Sequence, residues 1–161
     1  MKIWFWIIVI ISIYYISWYY RLPELTLLQS SLNDFNLSLL LEKQPIIIQD
    51  RIKDFEPVCK AWFMSAFTNY LTESATSVDN PIWNVNKYKY KLIHPSEDIE
   101  VGICSSKLVD GIPPSDATLV IIKLKANMIL ILPYRIHYAL MGNGDIPIAV
   151  VNDIVTYFLP V

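Results

Sequence analysis

Ile3–Tyr20 is a run of eighteen residues without a charged side chain. As a helix rising about 1.5 Å per residue it is about 27 Å long, close to the hydrocarbon thickness of a bilayer. Seven isoleucines lie in it, and each apolar residue near the centre favours insertion by roughly 0.3–0.6 kcal/mol. Trp4 and Trp6 stand at one end; Trp18, Tyr19 and Tyr20, followed by Arg21, stand at the other. A spanning helix places such rings at its two interfaces. Ser12 and Ser17 can bond back to backbone carbonyls at little cost. A cleaved leader has a shorter apolar run and small residues at its exit. Here the exit is Ser17-Trp18-Tyr19-Tyr20-Arg21-Leu22-Pro23. The expectation is a retained single-pass anchor at residues 1–20, with the lipid bilayer as its partner. Lys2 and Arg21 flank it almost symmetrically, so they leave its orientation open.

The chain is 17% charged, against about a quarter in an average soluble protein. That deficit is concentrated in the anchor. The remainder has ordinary composition and is long enough for one core-forming domain. With a net charge of −2 and no basic stripe, nucleic acid is not an expected partner.

Residues 21–31, including Pro23, read as a connector, of which the ten residues Arg21–Ser30 fully extended reach at most about 35 Å. Residues 32–161 read as the domain. Leu32–Lys43 has an apolar helical face in Leu32, Phe35, Leu39 and Leu40, with Ser31 or Asn33 as cap. Gln44-Pro45 stops it. Ile46-Ile47-Ile48 predicts a buried strand. Asp54–Tyr70 predicts a second helix, with Pro57 in its first turn. Strands follow at Trp83–Tyr88, Tyr90–His94, Ile99–Cys104, Thr118–Leu124, Met128–Leu132, Arg135–Met141 and Ile146–Val151. Ser105–Ala117 is a surface loop, and Gly142-Asn143-Gly144-Asp145 is a hairpin signal. Asn152–Leu159 is a last strand or a short helix. This density of short strands predicts an antiparallel sandwich or barrel.

Chemistry-bearing motifs are sparse. Four glycines make no phosphate loop, and no Gly-x-Ser-x-Gly elbow is present. Lys87, Lys89 and Lys91 alternate with Tyr88 and Tyr90, the pattern of a solvated strand face. Cys59 and Cys104 match no metal spacing and are buried thiols or one disulfide. Asn36-Leu37-Ser38 is a glycosylation triplet that fixes no compartment. His137 sits on a strand after a proline corner, where a backbone partner is the ordinary role of such a ring.

Several segments, in order, resemble cupin-like domains of the jumonji-C type. Glu42-Lys43-Gln44-Pro45-Ile46-Ile47-Ile48 is similar to that family's opening strand. Lys89-Tyr90-Lys91-Leu92-Ile93-His94-Pro95 is similar to its strand ending in a proline turn. The segment from Leu124 to His137 resembles its Gly-Asp-Val-Leu-Phe-Ile-Pro-Pro-Gly-Trp-Trp-His element. Ile146–Asn152 resembles the strand after it. The resemblance runs from about Asn33 to Val151. It implies a mainly β fold, a double-stranded β-helix (jelly roll) with flanking helices, here behind one transmembrane helix. Enzymes of the family hold iron by a His-x-Asp/Glu pair and a distal His, with 2-oxoglutarate as co-substrate. His137 falls at the distal position, but Asn69–Asn86 holds no histidine and His94 is followed by Pro95-Ser96. A single imidazole does not make a facial triad, so His137 reads as a vestigial ligand position. No catalytic residue, cofactor or metal is expected.

Versions with this composition resemble those of large and giant double-stranded DNA viruses. That implies a non-catalytic minor capsid or membrane protein, at the interface of the virion's internal membrane and capsid shell, with capsid proteins as partners. Trp83–Tyr90 and Ser105–Ala117 would be its contact surfaces. One alternative is a membrane-tethered jelly-roll module binding sugar or peptide. Another is a divergent Fe(II)/2-oxoglutarate oxygenase, using His137 with Glu73 or Asp79.

Overall fold

The computed structural model describes residues 2–20, 24–63, 68–76, 82–142, 145–153 and 156. Helix α1 runs from Lys2 to Tyr20 and projects from a mainly β body. Ten strands follow: β1 Leu28–Ser30, β2 Ile46–Ile48, β3 Thr68–Thr76, β4 Asn84–Val85, β5 Tyr90–Ile93, β6 Ile99–Cys104, β7 Leu119–Leu124, β8 Ile129–Pro133, β9 His137–Met141 and β10 Asp145–Asp153. Helix α2, Phe55–Phe63, lies between β2 and β3. One sheet has the order β1-β2-β8-β5-β10-β3, the other β4-β9-β6-β7. All pairs are antiparallel except β1 with β2.

The pairing is nested: β3 with β10, β4 with β9, β5 with β8, and β6 with β7. The side-chain period of two then sorts each strand into two faces. Between the sheets lie Ile47, Ile93, Leu130, Leu132, Ile148 and Val150 from one, and Val101, Ile103, Ile122, Leu124 and Tyr138 from the other. The alternate residues of the larger sheet, Ile46, Ile48, Leu92, Ile129, Ile131 and Val151, pack against Phe55, Cys59 and Phe63 of α2. That sheet is therefore buried on both faces, which is why Ile46-Ile47-Ile48 is apolar without alternation. Each such side chain contributes roughly 1.5–3 kcal/mol by leaving water.

Several elements differ from the sequence reading. The helix expected at Leu32–Lys43 is a short 3-10 helix, Leu37–Glu42, capped by Asn36 rather than Ser31 or Asn33. Ser31 instead closes a turn, its hydroxyl oxygen accepting from the Asp34 amide and its carbonyl from the Phe35 amide. Such local side-chain bonds compete with helix. The helix expected over Asp54–Tyr70 ends by Phe63, and Thr68–Tyr70 already belong to β3, paired along β10. Trp83–Tyr88 reduces to Asn84–Val85. The glycine-rich segment after Met141 joins no hairpin: β9 and β10 lie in different sheets. Asn143 and Gly144 lie outside the described residues, as do most of 154–161, including the end of the predicted Asn152–Leu159 element.

The connector is not a free tether. Its β1 pairs with β2, Leu28 opposite Ile46. The buried Gln44 amide accepts from the Thr26 N–H and donates to the Glu24 carbonyl. The lysine stripe is a wet face only in part: Lys87 is exposed and Lys89 half-buried. Lys91 is only 8% exposed. It shares the inward face of β5 with Ile93 and donates to the Tyr138 hydroxyl at 2.8 Å. Cys59 and Cys104 are both buried and form no disulfide with each other.

Candidate functional site at the helix–sandwich junction

The densest polar network among the described residues joins the end of α1 to the sandwich. Its centre is Asp153, the last residue of β10. Its carboxylate accepts from the hydroxyls of Tyr19 and Tyr15, the latter at 2.9 Å, and pairs with Lys89 at 3.0 Å. Its other oxygen accepts from the Thr156 N–H at 2.9 Å. Burial alone would raise the pKa of this carboxyl. The bonds from Tyr19, Thr156, Lys89 and Tyr15 outweigh that and hold it well below the usual carboxylate range. Asp153 therefore stays ionised.

Tyr15 and Tyr19 are one helical turn apart, so both hydroxyls leave the same face of α1. Tyr19 is 1% exposed and packs edge-on against Tyr134, centroids 5.6 Å apart. Two cations flank this contact. Lys43 Nζ lies 4.1 Å from the Trp18 ring centroid, and the Arg135 guanidinium lies 5.3 Å from that of Tyr20. Both residues have positive φ, 54° and 67°. A left-handed backbone costs a side chain with a Cβ about 1–2 kcal/mol, and glycine or asparagine is the usual occupant. Lysine and arginine stand there instead, and each lies against an anchor ring.

The anchor residues named from sequence thus divide. Trp4 and Trp6 are exposed on the free part of the helix. Trp18, Tyr19 and Tyr20 face the domain, and Tyr19 is covered by it rather than by lipid. Arg21 lies outside the described residues. Ile3–Tyr20 is the one helix among the described residues long and apolar enough to cross a membrane.

Both histidines have structural partners. Tyr138 and Leu140 point between the sheets, so His137, next to Tyr138 on β9, faces outward, opposite Cys104 of β6. Burial, then the nearby Arg135 charge, lowers its pKa against an opposing hydrogen bond to the Cys104 backbone. Its Nδ1 is buried without a partner among the described residues. His94 is stacked on Phe55 at 4.7 Å, with Nε2 2.7 Å from the Ile52 carbonyl, at the wall of a cleft of about 440 Å³. Burial lowers its pKa too, against bonds to Ile52 and Asn127. Glu73 lies on β3 with its backbone opposite Ile148, and Asp79 lies outside the described residues. Among the described residues, no three of His, Cys, Asp and Glu converge on one point.

Comparison with protein-family models, curated proteins and solved structures gives no match for this chain.

Sequence reading missed Asp153, Tyr15, Lys43, Lys89 and Arg135 as one site, because they are far apart in the chain. One signal was present: two hydroxyls four residues apart, at Tyr15 and Tyr19, on a helix otherwise suited to lipid.

Proposed function

We propose that this chain is a single-pass membrane protein with a structural role, whose jelly-roll domain is clamped to the end of its own anchor. What supports the jelly-roll reading is the nested pairing of β3 to β10, the pattern made when one long hairpin folds over on itself. What supports a non-catalytic role is the filled interior, where Ile93, Val101, Ile103, Leu130 and Leu132 are fully buried, together with the outward direction of His137. The observation that carries the reading is the clamp. Asp153 draws two anchor tyrosines and Lys89 into one half-buried contact, which fixes the domain relative to the bilayer instead of letting it sample space. The resemblance to viral cupin-like domains extends the proposal to an internal virion membrane, with capsid proteins as partners.

Two experiments test these parts separately. Membranes carrying the full chain are washed with alkaline carbonate; the chain is expected to stay in the pellet, and complete release defeats the anchor. Purified particles are then assayed for the chain, and its absence there removes the virion role while leaving the anchor intact.

A further inference from the structure

The two sheets end in the edge strands β1, β3, β4 and β7, and these edges differ in how they meet water. β1 and β4 are only 3 and 2 residues long. β3 carries Glu73 among threonine, serine and asparagine side chains. Short or charged edges discourage pairing with another chain. β7 has neither protection. It reads Leu119-Val120-Ile121-Ile122-Lys123-Leu124, without proline or glycine and with a single charge. Among the described residues its backbone partners all lie in β6. Alternate residues of such a ladder turn both N–H and C=O away from the partner strand. The outer edge of β7 is therefore an open row of donors and acceptors. Its outward side chains are open too: Leu119 is 48% exposed and Ile121 56%. Trp83 covers the neighbouring β6 at Gly102, but Ile121, opposite Gly102 in register, lies beyond that cover.

An open row of backbone groups calls for a strand, and a second copy of β7 supplies one. We propose that two copies of this chain pair through this edge, β7 against the partner's β7, antiparallel about a two-fold axis. Such an axis stands perpendicular to the sheet, so residues that face each other have side chains on the same face. Pairing centred on Ile121 joins Leu119–Lys123 of each strand. Ile121 meets the partner's Ile121, and Leu119 meets the aliphatic stem of the partner's Lys123. The two Lys123 residues then stand about 14 Å apart along the strands, beyond strong repulsion at physiological salt, and each keeps its own Glu100 at 3.7 Å. Past the strand end, Ala117 falls opposite the partner's Lys125, which brings Asp116 beside that ammonium. Symmetry makes the contact twice. Asp116 and Lys125 are exposed, and neither has an ion-pair partner in its own chain among the described residues. Charge therefore selects a copy of this chain over an arbitrary strand. It also selects the register: centred on Ile122, the pairing sets Lys123 against Ile121 and carries Asp116 past Lys125. The contact is small for a stable dimer, so association is weak, and dilution to one copy per nanodisc separates the pair. The pairing holds whether or not α1 spans a bilayer.

The test uses the full chain in detergent micelles, which impose no shared bilayer plane on the two helices. Sedimentation at rising protein concentration is expected to show monomer passing to dimer. Single cysteines are then placed at Leu119, Ile121 and Lys123 and treated with a bis-maleimide too short to span about 14 Å. Only Ile121→Cys is expected to cross-link, because only the residue on the axis meets its own copy. Leu71→Cys, exposed on β3, is expected to give no cross-link, and the wild type, with both cysteines buried, is the blank. Ile121→Lys sets two ammonium groups face to face and is expected to abolish the dimer while circular dichroism shows the fold retained. Asp116→Lys is expected to weaken association roughly fivefold, and adding Lys125→Asp to it is expected to restore the wild-type constant. A chain that stays monomeric throughout leaves the edge to a strand of another protein and overturns the proposal. A dimer that survives Ile121→Lys, or that cross-links through Leu71→Cys, is made by another surface and overturns it as well. So does a charge swap that leaves association as weak as in Asp116→Lys.

Discussion

Replacing Asp153 with alanine removes the acceptor on which the junction converges. Two phenol hydroxyls and Lys89 lose their shared partner, and the Thr156 N–H loses its cap. Hydrogen bonds to a charged group are worth about 1.5–3 kcal/mol each. Tyr19 is buried and pays most of that, whereas Tyr15 is exposed and contributes little. Leaving Lys89 unpaired adds to the loss, although its side chain keeps 21% exposure and stays partly hydrated. We expect a total of about 3 kcal/mol, near the lower end for breaking a buried pair. For a domain of this size that is a fall of roughly 10 °C in Tm, measured by circular dichroism on the full chain in micelles. Asp153→Asn should fall between wild type and Asp153→Ala, because its amide oxygen still accepts from Thr156. The pH dependence follows from the depressed pKa of Asp153. Its stabilisation is complete above the ordinary carboxylate value of about 4 and is lost as pH falls through the lower folded value. The gap between wild type and Asp153→Ala should therefore be full at neutral pH and close in acid below about pH 4. A loss under about 1 kcal/mol, or a gap that persists unchanged in strong acid, refutes the clamp.

Other expectations follow from separate parts of the fold. Tyr138→Phe strands the buried Lys91 amine and should cost about 1–3 kcal/mol, whereas Lys91→Met replaces that amine with an apolar chain of similar length and should cost less, both read by urea denaturation. A Cβ at Gly102 would lie 3.0 Å from Trp83 and 3.4 Å from Met141; Gly102→Val should destabilise by about 1–3 kcal/mol and alter Trp83 fluorescence. His94 and His137 both have lowered pKa values, so the stability they lend is present above about pH 6.5 and declines as pH drops below it. A wild-type stability that is flat between about pH 7 and 5 contradicts that assignment.

Composition and period made the larger parts of this fold legible. The uncharged run announced α1, and Ile99–Cys104 was read with the bounds it has in the structure. The burial of β2 and β8 was visible as apolar runs without alternation. What failed were the features set by distant partners. Lys91 reads as solvated beside Lys87 and Lys89, because nothing local reveals that Tyr138 awaits it across the sandwich. Asn69 and Tyr70 continue a helical pattern, yet pairing with β10 makes them strand. The Gly142–Asp145 signal indicates a turn, but which sheet each neighbour joins is decided by nested long-range pairing. The junction was hidden for the same reason. Its residues come from the anchor, from the start of β2 and β5, from the β8–β9 turn and from the end of β10. Only the tyrosines of the anchor carried a local hint, and Tyr19 and Tyr20 read as rings at the membrane interface.

The fixed pose of the domain on its anchor is the claim on which the rest depends. It is tested most directly by double electron–electron resonance on the full chain in lipid nanodiscs, with nitroxides on Ile8→Cys in the free helix and Asp116→Cys in the β6–β7 loop; Cys59 and Cys104 are buried and slow to label. The clamp predicts one narrow distance distribution that broadens when Asp153→Ala is added. A broad distribution in the unclamped and clamped proteins alike would contradict it, and would describe a domain on a loose tether.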